Sequence, residues 1–429
     1  MRAVYLIGGG PLGARVPGWA RAAGLAPLVA DRDPAAPGFK DAAERILLDG
    51  TDAEGHAAAA LSLSKRYSIA GAYCGGEHGA ESARRVAEVL GLPSNPRSAV
   101  EDALDKERAK ARFSAAGVAT PGGGAISGAA ELAALLARAG GPAIIKPSGG
   151  SGSRGVRAVS AGEDLEEALA ACRAAAPGAV VAEPLLAGRS IDANGCFLGG
   201  DYVACGTLEK FSAPLPERLP LGGEDPARLG PGVERAVHAL VEAGARALGL
   251  VHGPVKGDLI LTAEGPVLLE VAPRFHGDVT TANTLPFGSG VSPYLLWFRW
   301  LFDGTVDARP LTPGAGHGAW RVLALPPGRL LSLPEPLPGP GMACVWHNPR
   351  LARAPGVIAR YGDTTAIPGY LCAHGKDRAG AEAALRAYMA SAGYAVEADP
   401  AHAAWYRALG QAFTEAGLDP RSAGFGWAP

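Results

Sequence analysis

The amino-acid sequence predicts an α/β protein, and three groups of residues favour this fold class. Near the start, the apolar runs Ala3 to Ile7 and Ala26 to Ala30 flank a helical segment, which is the strand–helix–strand pattern of a doubly wound sheet. In the middle, Ala143 to Ile145 predicts another buried strand, ahead of a glycine-rich loop. Further on, Leu259 to Leu261 and Val267 to Leu269 predict the two strands of a hairpin.

The composition is that of a soluble globular chain. It has 429 residues, of which 48% are hydrophobic and 19% charged, and this length predicts two or three domains. The net charge of −2 argues against nucleic-acid binding, and no apolar run is long enough to cross a membrane. Six scattered cysteines indicate neither a zinc site nor a disulfide framework, and no signal-peptide pattern opens the chain. We therefore expect a cytoplasmic protein.

The amino-terminal segment carries a dinucleotide-binding fingerprint. Gly8 to Gly13 follows the first strand and leads into a predicted helix from Ala14 to Ala23, and Asp31 ends the second strand. Glycines at this spacing, with an acid after the second strand, are typical of proteins that bind NAD or NADP. An NAD(P)-dependent oxidoreductase is therefore one functional hypothesis.

Polar residues also follow the predicted strand Ser68 to Cys74. Side chains at the carboxyl end of a parallel strand face the crevice where α/β sheets bind ligands. Glu77 and His78 occupy that position, so we predict that they contact a substrate. The alternative is a polar loop in which Glu77 caps the next helix.

The glycine-rich loop after Ile145 predicts a phosphate-binding site. Its glycines let backbone N–H groups turn towards an anion, and its serines add hydroxyl donors. No Gly-Lys-Ser/Thr follows the glycines, so it is not a P-loop, and an ordinary flexible hairpin loop is the alternative. The predicted phosphate contacts are Lys146, Ser148, Gly149, Gly150, Ser151, Gly152 and Ser153.

The hairpin near residue 260 predicts a metal site. Asp258 enters its first strand and Glu270 leaves its second, so the two carboxylates can lie side by side. Such a pair beside a phosphate loop suits Mg²⁺, with Mn²⁺ as an alternative ion, because these cations take oxygen ligands and share their shell with nucleotide phosphates. The competing interpretation is a solvated hairpin with charged ends.

Three separate blocks together resemble the ATP-grasp superfamily. They are Leu104 to Pro121, with its Asp-Lys pair, helix and Gly-Val-Ala-Thr-Pro exit, the Lys146 loop, and the hairpin from Asp258 to Arg274. The order and spacing of the blocks match over residues 1 to 310. Members of the superfamily open with a comparable glycine loop without using NAD, so the resemblance argues against the oxidoreductase hypothesis.

The resemblance implies an α/β ATP-grasp fold with a particular division into domains. A doubly wound, Rossmann-like pre-ATP-grasp domain would span residues 1–94. A two-lobed α+β nucleotide domain would span 95–306, with a lid subdomain at about 120–185. A small C-terminal lobe and a tail would span 307–429, and residues 366–385 resemble the small C-terminal lobe of biotin-carboxylase-like members.

The same resemblance implies nucleotide contacts beyond the glycine loop. It makes Lys106 the first nucleotide lysine, and it assigns adenine binding to Glu183 and to the backbone as far as Leu185. An acid usually holds the ribose at the position of Ser190, and Asp192 is the nearest acid that follows it.

Two positions of the third block depart from the superfamily pattern. Lys256 stands where a His is usual, and Ala272 stands where an Asn normally adds a metal ligand. Two arrangements are therefore open: one metal ion is held loosely, or Glu270 bridges two ions. Arg274 matches the pattern, and a guanidinium there suits a developing acyl phosphate.

Two further residues are assigned to the substrate. Lys210 lies in a proline-spaced segment from Glu209 to Pro220, which we predict to be a functional loop that contacts the acid substrate or phosphate. His276 opens a segment that is expected to wall the substrate pocket. The tail after residue 400 would pack on the body of the chain or on a second subunit, which leaves a homodimer open.

The resemblance implies an ATP-dependent, ADP-forming carboxylate–amine ligase. A small-molecule carboxylate would attack the γ-phosphate of ATP to give an acyl phosphate, and an amine would then displace the phosphate. Lys146 and Arg274 would stabilise the charge that is transferred. The alternative within the superfamily is a carboxylase or a purine-pathway enzyme. Outside it, a non-catalytic nucleotide-binding protein stands beside the oxidoreductase hypothesis.

Overall fold

The chain folds into two compact units, and each unit is made of three segments that alternate along the sequence. The computed structural model describes residues 1–176, 178–216, 218–277, 279–307, 316–348, 354–364 and 366–425. Within the described residues, unit 1 comprises Met1–Thr120, Ile191–Thr207 and Arg228–Gly314, and unit 2 comprises Pro121–Ser190, Leu208–Ala227 and Ala315–Pro429. The predicted domain boundaries after residues 94 and 306 stay predictions.

Unit 1 begins with a parallel sheet of strand order β3-β2-β1-β4. The segment contains β1 (Arg2–Ile7), α1 (Val16–Ala22), β2 (Ala26–Asp31), β3 (Glu44–Leu47), α2 (Ala53–Leu63), β4 (Ser68–Cys74) and α3 (Ala80–Val89). β1 and β2 are almost entirely buried, as expected for strands covered on both faces. The predicted α/β class and the doubly wound start of the chain are confirmed.

The Lys146 strand belongs to an antiparallel sheet in unit 2. Unit 1 first adds α4 (Arg97–Leu104) and α5 (Lys106–Ala115), and unit 2 then adds β5 (Gly124–Ile126), α6 (Ala129–Ala139), β6 (Ala143–Pro147), β7 (Arg157–Val159), α7 (Leu165–Ala175) and β8 (Val180–Pro184). The strands pair in the order β5-β8-β6-β7. Leu132 and Leu136 of α6 and Leu169 of α7 cover Ile145 of β6, which anchors the strand that ends at the glycine loop.

The acid hairpin lies in unit 1. The next elements along the chain are β9 (Arg189–Leu198), β10 (Asp201–Ser212), β11 (Pro220–Asp225), α8 (Pro231–Leu248), β12 (Gly253–Thr262), β13 (Gly265–Ala272), α9 (Leu285–Gly288) and α10 (Pro293–Asp303). Unit 1 pairs its strands in the order β13-β12-β9-β10. The prediction of a loop that starts at Glu209 is wrong in its first part, because β10 continues to Ser212 and pairs with β11.

An aromatic core holds this part of unit 1. Tyr294, Trp297 and Phe298 of α10 are buried against Tyr73 of β4 and against Phe275. Full burial of each such side chain contributes about 1.5–3 kcal/mol, so the packing stabilises the backbone next to Arg274. The Tyr73 hydroxyl also accepts a hydrogen bond from the Phe275 N–H at 3.3 Å.

Unit 2 ends with two further sheets, one of which continues from β11. The elements are β14 (His317–Val322), β15 (Gly328–Ser332), β16 (Met342–His347), β17 (Gly356–Ile358), β18 (Gly369–Gly375), α11 (Arg378–Ser391), β19 (Ala395–Ala398) and α12 (Ala403–Glu415). The strand orders are β11-β14-β18-β16 and β17-β15-β19. The predicted strand, glycine turn and helix at 366–385 correspond to β18 and α11. In the described part of the chain, no helix has the length and apolar character needed to cross a membrane.

Candidate functional site

The two predicted metal carboxylates face each other across the hairpin of unit 1. Asp258 of β12 pairs with Glu270 of β13, and the register shifts directly after Asp258. The hairpin and the juxtaposition of these acids therefore agree with the sequence prediction. Their role as metal ligands stays a prediction.

Lys256 bridges these carboxylates. Its Nζ donates to Oδ1 and Oδ2 of Asp258 at 2.9 and 3.0 Å and to Oε1 of Glu270 at 3.0 Å. Burial opposes the charge of Lys256, but Asp258 and Glu270 outweigh it and raise the pKa of the ammonium above its ordinary value. Lys256 in turn holds the pKa of the Glu270 carboxyl below its usual range. The result is a charge-assisted cluster in which Lys256 is buried and the two carboxylates are partly exposed.

Lys106 lies at the same cluster. Its charge contributes to lowering the pKa of Glu270, after the larger effect of Lys256. The side chain of Asp105 accepts hydrogen bonds from the N–H groups of Glu107 and Arg108, so it caps α5 and places Lys106 in the first helical turn. The Asp-Lys pair of the sequence thus combines a helix cap with a cation near the acids.

The residues at the hairpin do not fit a protein cage for two divalent ions. The described residues contain no group of three or more His, Cys, Asp or Glu side chains that could hold a metal. Ala272 has no ligand atom, and the ammonium of Lys256 already binds oxygens of both acids. Oxygen ligands remain, but a second ion would have to compete with a fixed cation.

Arg274 lies at the end of the hairpin and is largely buried. Its Nη2 donates to Oε1 of Glu77 at 2.5 Å and its Nη1 to the Phe275 carbonyl at 2.9 Å. Burial opposes the guanidinium charge, and Glu77 more than compensates, so the pKa of Arg274 lies above its ordinary value. Its Nε–H is buried and has no acceptor among the described residues. The structure thus joins two of the predicted substrate residues and leaves one guanidinium donor unsatisfied.

The other substrate candidates of unit 1 lie in different surroundings. His276 Nε2 contacts Oδ2 of Asp192 at 2.6 Å, and its Nδ1 contacts the Thr280 hydroxyl at 2.7 Å. The backbone N–H of His276 donates to Asn194 at 2.7 Å. Asp192, predicted for the ribose, is fully buried in this pair. His78 lies exposed in the short turn after β4.

The nucleotide candidates of unit 2 centre on a buried ion pair. Lys146 of β6 donates to Oε2 of Glu183 on β8 at 2.7 Å, and both side chains are buried. β6 and β8 pair with Lys146 opposite Val181 and Ile144 opposite Glu183, which places the two charged side chains on the same face. The Leu185 N–H donates to the Pro142 carbonyl, and Lys210 lies on β10 opposite Gly223.

The glycine loop of unit 2 needs its glycines. Gly150, Gly152 and Gly155 have φ values of 84°, 73° and 72°, a region that residues with a Cβ rarely adopt. The Gly152 carbonyl accepts from the Thr364 hydroxyl at 3.1 Å and from its N–H at 3.4 Å. The loop is therefore fastened to a residue more than 200 positions away.

Polar groups of the amino-terminal fingerprint form hydrogen bonds within the amino-terminal segment. Asp31 Oδ2 accepts from the Gly9 N–H at 2.7 Å, and Oδ1 accepts from the Asp33 N–H at 2.9 Å. The Gly9 carbonyl accepts from the Gly38 N–H at 2.8 Å, and the two glycines pack closely enough that a Cβ on Gly38 would collide with Gly9. The acid that would bind a ribose in the oxidoreductase hypothesis closes its own loop instead.

One buried charged cluster in unit 2 has no counterpart in the sequence predictions. Glu224 of β11 accepts from Arg321 at 2.9 Å and from Arg378 at 2.9 Å, and it contacts His317 Nε2 at 3.2 Å. Arg321 is fully buried. A signal existed, because Arg321 interrupts an otherwise apolar strand and would need a buried partner.

Comparison with known proteins identifies the fold. The family model "Carbamoyl-phosphate synthase L chain, ATP binding domain" matches residues 105–194. The crystal structure of L-amino acid ligase from Bacillus licheniformis matches with a TM-score of 0.71 at 18% identity, over 88% of this chain and 94% of that one. The chain has the ATP-grasp fold. The α/β ATP-grasp fold that the three sequence blocks predicted is confirmed.

Relatives of this ATP-grasp chain are also found by sequence. Protein y4rH of Sinorhizobium fredii is 30% identical over 268 residues, which are 59% of this chain and 54% of that protein. D-alanine–D-alanine ligase of Cupriavidus necator is 29% identical over 197 residues, 43% of this chain and 59% of the ligase. The chain thus spans between half and two thirds of the length of these curated relatives.

Proposed function

We propose that this ATP-grasp protein is an ATP-dependent, ADP-forming ligase that joins a carboxylate to an amine. The observation that carries the proposal is Arg274: a largely buried guanidinium, beside the Asp258–Glu270 hairpin, with one donor that no described residue satisfies. A buried donor without an acceptor is costly in the free protein and is satisfied when an anion binds. A substrate carboxylate, and then its acyl phosphate, is such an anion.

The proposed reaction has two steps. A carboxylate oxygen of the acid attacks the γ-phosphorus of ATP, the bond to the β,γ-bridging oxygen breaks, and ADP leaves. The nitrogen of a neutral amine then attacks the acyl carbon, inorganic phosphate leaves, and the nitrogen loses a proton. Positioning and charge neutralisation account for most of what a protein contributes to such a transfer.

The nucleotide contacts predicted from the sequence are proposed for each unit separately. In unit 1 these are Lys106 and, for the ribose, Asp192. In unit 2 the glycine loop and Lys146 would contact the phosphates, while Glu183 and the Leu185 backbone would contact adenine. The Lys146–Glu183 pair would keep both side chains charged and ordered until the nucleotide arrives. A divalent ion, Mg²⁺ or Mn²⁺, would enter with the nucleotide, since phosphates supply most of its ligands.

The acid and the amine are proposed to be small molecules, and amino acids are the first to test. The names of two relatives, a D-alanine–D-alanine ligase and an L-amino acid ligase, support this class. The Glu77–Arg274 pair supports it as well, because its two members suit the ammonium and the carboxylate of an amino acid. Lys210, His78 and His276 stay proposed substrate contacts. A cytoplasmic location and a homodimer are also proposals.

The test is ADP and phosphate release from ATP with pairs of amino acids and small diacids, followed by mass spectrometry of the product. We expect release that requires an acid, rises when an amine is added and yields an amide. Release with bicarbonate in place of an acid and amine would favour the carboxylase alternative. ATP binding without release in any pair would favour a non-catalytic protein, and tight NADH binding would favour the oxidoreductase hypothesis.

A further inference from the structure

The two departures from the ATP-grasp pattern lie opposite each other. Lys256 of β12 pairs with Ala272 of β13 in the hairpin register. Strand residues two apart share a face, so Lys256 and Asp258 point the same way, towards Glu270. In this cross-strand pair, position 256 carries a lysine, and the side chain at position 272 is only a methyl group.

The charges at this position balance in an unusual way. Lys256 bridges the carboxylates of Asp258 and Glu270 through three hydrogen bonds of 2.9–3.0 Å, and the charge of Lys106 also acts on Glu270. The Lys256 side chain is almost completely buried, so water screens its charge poorly. One divalent ion can still take carboxylate oxygens of the hairpin and nucleotide phosphates as ligands. A second one would lie beside an ammonium and would lack a ligand from residue 272.

We propose that the ammonium of Lys256 takes the place of one of two divalent ions, so that this protein binds its nucleotide with a single ion. The inference rests on the proposed nucleotide-binding function. In this arrangement one positive charge of the phosphate site is the ammonium of Lys256, which is part of the protein itself. Lys256 is then a positioning residue for Asp258 and Glu270. A lysine that only stabilised the fold would not alter the number of ions bound.

The decisive measurement is the number of Mn²⁺ ions bound per bound ADP. Free Mn²⁺ is followed by electron paramagnetic resonance, and bound ADP by equilibrium dialysis, with the complete wild-type chain. We expect one ion per nucleotide at saturation. Two ions per nucleotide in the wild-type protein would overturn the inference without any variant being needed.

Variants test whether Lys256 is the cause. Lys256→Met removes the charge but keeps an unbranched apolar stem, and Lys110→Met is the matched control, since Lys110 is also buried. Without nucleotide, Mg²⁺ should raise the melting temperature of Lys256→Met by several degrees, because its two carboxylates have lost their cation. The wild type and Lys110→Met should respond little. Equal responses in all three proteins would contradict the inference.

Two further variants cover the case in which Lys256→Met does not fold. Lys256→Arg keeps the positive charge and should keep a count of one ion. The double variant Lys256→Gln/Ala272→Asn returns an oxygen ligand to each strand and should bind two ions per ADP. A count of two in Lys256→Arg, or a count of one in the double variant, would contradict the inference.

The failure of the inference is distinguishable from the failure of the proposed function. Ion counting needs nucleotide binding but no turnover. Binding of ADP with one ion, together with no acid-dependent ADP formation, would overturn the ligase proposal alone. Two ions with normal ligation would overturn only the role of Lys256. The absence of any nucleotide binding would overturn both.

Discussion

At the scale of single residues, each of three candidate cations is held by a carboxylate of its own unit. Lys146 pairs with Glu183, Lys256 with Asp258 and Glu270, and Arg274 with Glu77. A buried charge without a partner costs several kcal/mol, so the fold requires such internal partners. Anionic ligands must compete with these carboxylates, which favours ligands that carry several charges.

Glu270 provides a direct test of the hairpin. Glu270→Gln should lower ADP formation on the order of 100-fold or more, because it removes a carboxylate that is proposed to hold the divalent ion at the phosphates. The fold should survive, since Lys256 keeps both of its bonds to Asp258. Steady-state ADP release and the melting temperature are the measurements. Turnover near the wild-type rate in a folded Glu270→Gln protein would refute the assignment of the hairpin.

Lys146 provides the corresponding test for unit 2. Lys146→Met alone would take a hydrogen-bonded cation from the buried carboxylate of Glu183, so the variant to examine is Lys146→Met/Glu183→Gln, which changes both members of the pair. Its affinity for ATP should fall by about tenfold or more, the equivalent of one charge-assisted hydrogen bond. Titration calorimetry measures the change.

Asp31→Ala is the matched control for this experiment. Asp31 bonds only within the amino-terminal loop in the contacts described above, so its loss should lower the free energy of unfolding by about 1–3 kcal/mol. Its ATP affinity should equal that of the wild type. If instead NADH bound tightly to the wild type and this binding were lost in Asp31→Ala, the amino-terminal loop would be the nucleotide site.

At the scale of elements, the glycine loop combines conformational freedom of its glycines with a hydrogen-bonded attachment at Gly152. Its glycines adopt left-handed conformations without strain, whereas its carbonyl at Gly152 is held by Thr364. A surface loop held to the rest of its unit by hydrogen bonds of this kind can open at a free-energy cost below that of global unfolding. This makes it suitable as a lid that closes over phosphates and excludes water.

The fastening predicts a change in proteolysis. Thr364→Val removes the hydroxyl donor and keeps the shape, so the open loop should become about fivefold more populated, the value of one hydrogen bond of ~1 kcal/mol. Trypsin should then cut faster after Arg154, whose side chain lies in the loop. Thr414→Val is the control, because its hydroxyl bonds only within a helix.

Ligands should reverse this effect. ATP with the correct acid should slow cleavage after Arg154 in both the wild type and Thr364→Val, because closure is favoured by the ligand's higher affinity for the closed loop. Unchanged cleavage in Thr364→Val would show that Thr364 does not restrain the loop. Cleavage that no ligand combination slows would argue against the loop as a phosphate lid.

At the scale of the whole molecule, each unit contains a buried neutral histidine that makes stability depend on pH. His238 of unit 1 contacts the Tyr202 hydroxyl at 3.0 Å, and His347 of unit 2 contacts the Tyr394 hydroxyl at 2.8 Å. Burial lowers the pKa of both imidazoles from 6.5 to about 4. The unfolded chain therefore binds protons at these positions between pH 6.5 and 4, while the folded chain does not.

The sign of the effect follows from this difference. Stability is complete above pH 6.5 and should fall as the pH drops towards 4, by up to about 1.4 kcal/mol per pH unit for each imidazole. Denaturant unfolding between pH 7 and 4 measures it. His238→Gln and His347→Gln should each flatten the slope, whereas His402→Gln, with a half-exposed ring, should not. A slope that neither buried variant changes would contradict the assignment.

The sequence alone determined many of the elements and the resemblance to the ATP-grasp fold. The strand Ser68–Cys74 and the hairpin around Glu264 follow from apolar periodicity and turn residues that lie within a few positions of each other. The glycine loop and the ATP-grasp resemblance likewise depend on short, ordered blocks. The prediction of a loop at Glu209 to Ser212 is wrong. The local sequence does not show that this segment pairs with β11, which follows later in the chain.

Only the tertiary structure decided which charges meet. Glu77 and Arg274 are 197 positions apart, and the bridge made by Lys256 depends on the register of β12 and β13. Lys256 was visible in the sequence as a departure from a pattern, but its two partners were not. The physical reason is that local periodicity specifies which face a side chain occupies, whereas a buried charge is stabilised by whichever opposite charge long-range packing brings within hydrogen-bond distance.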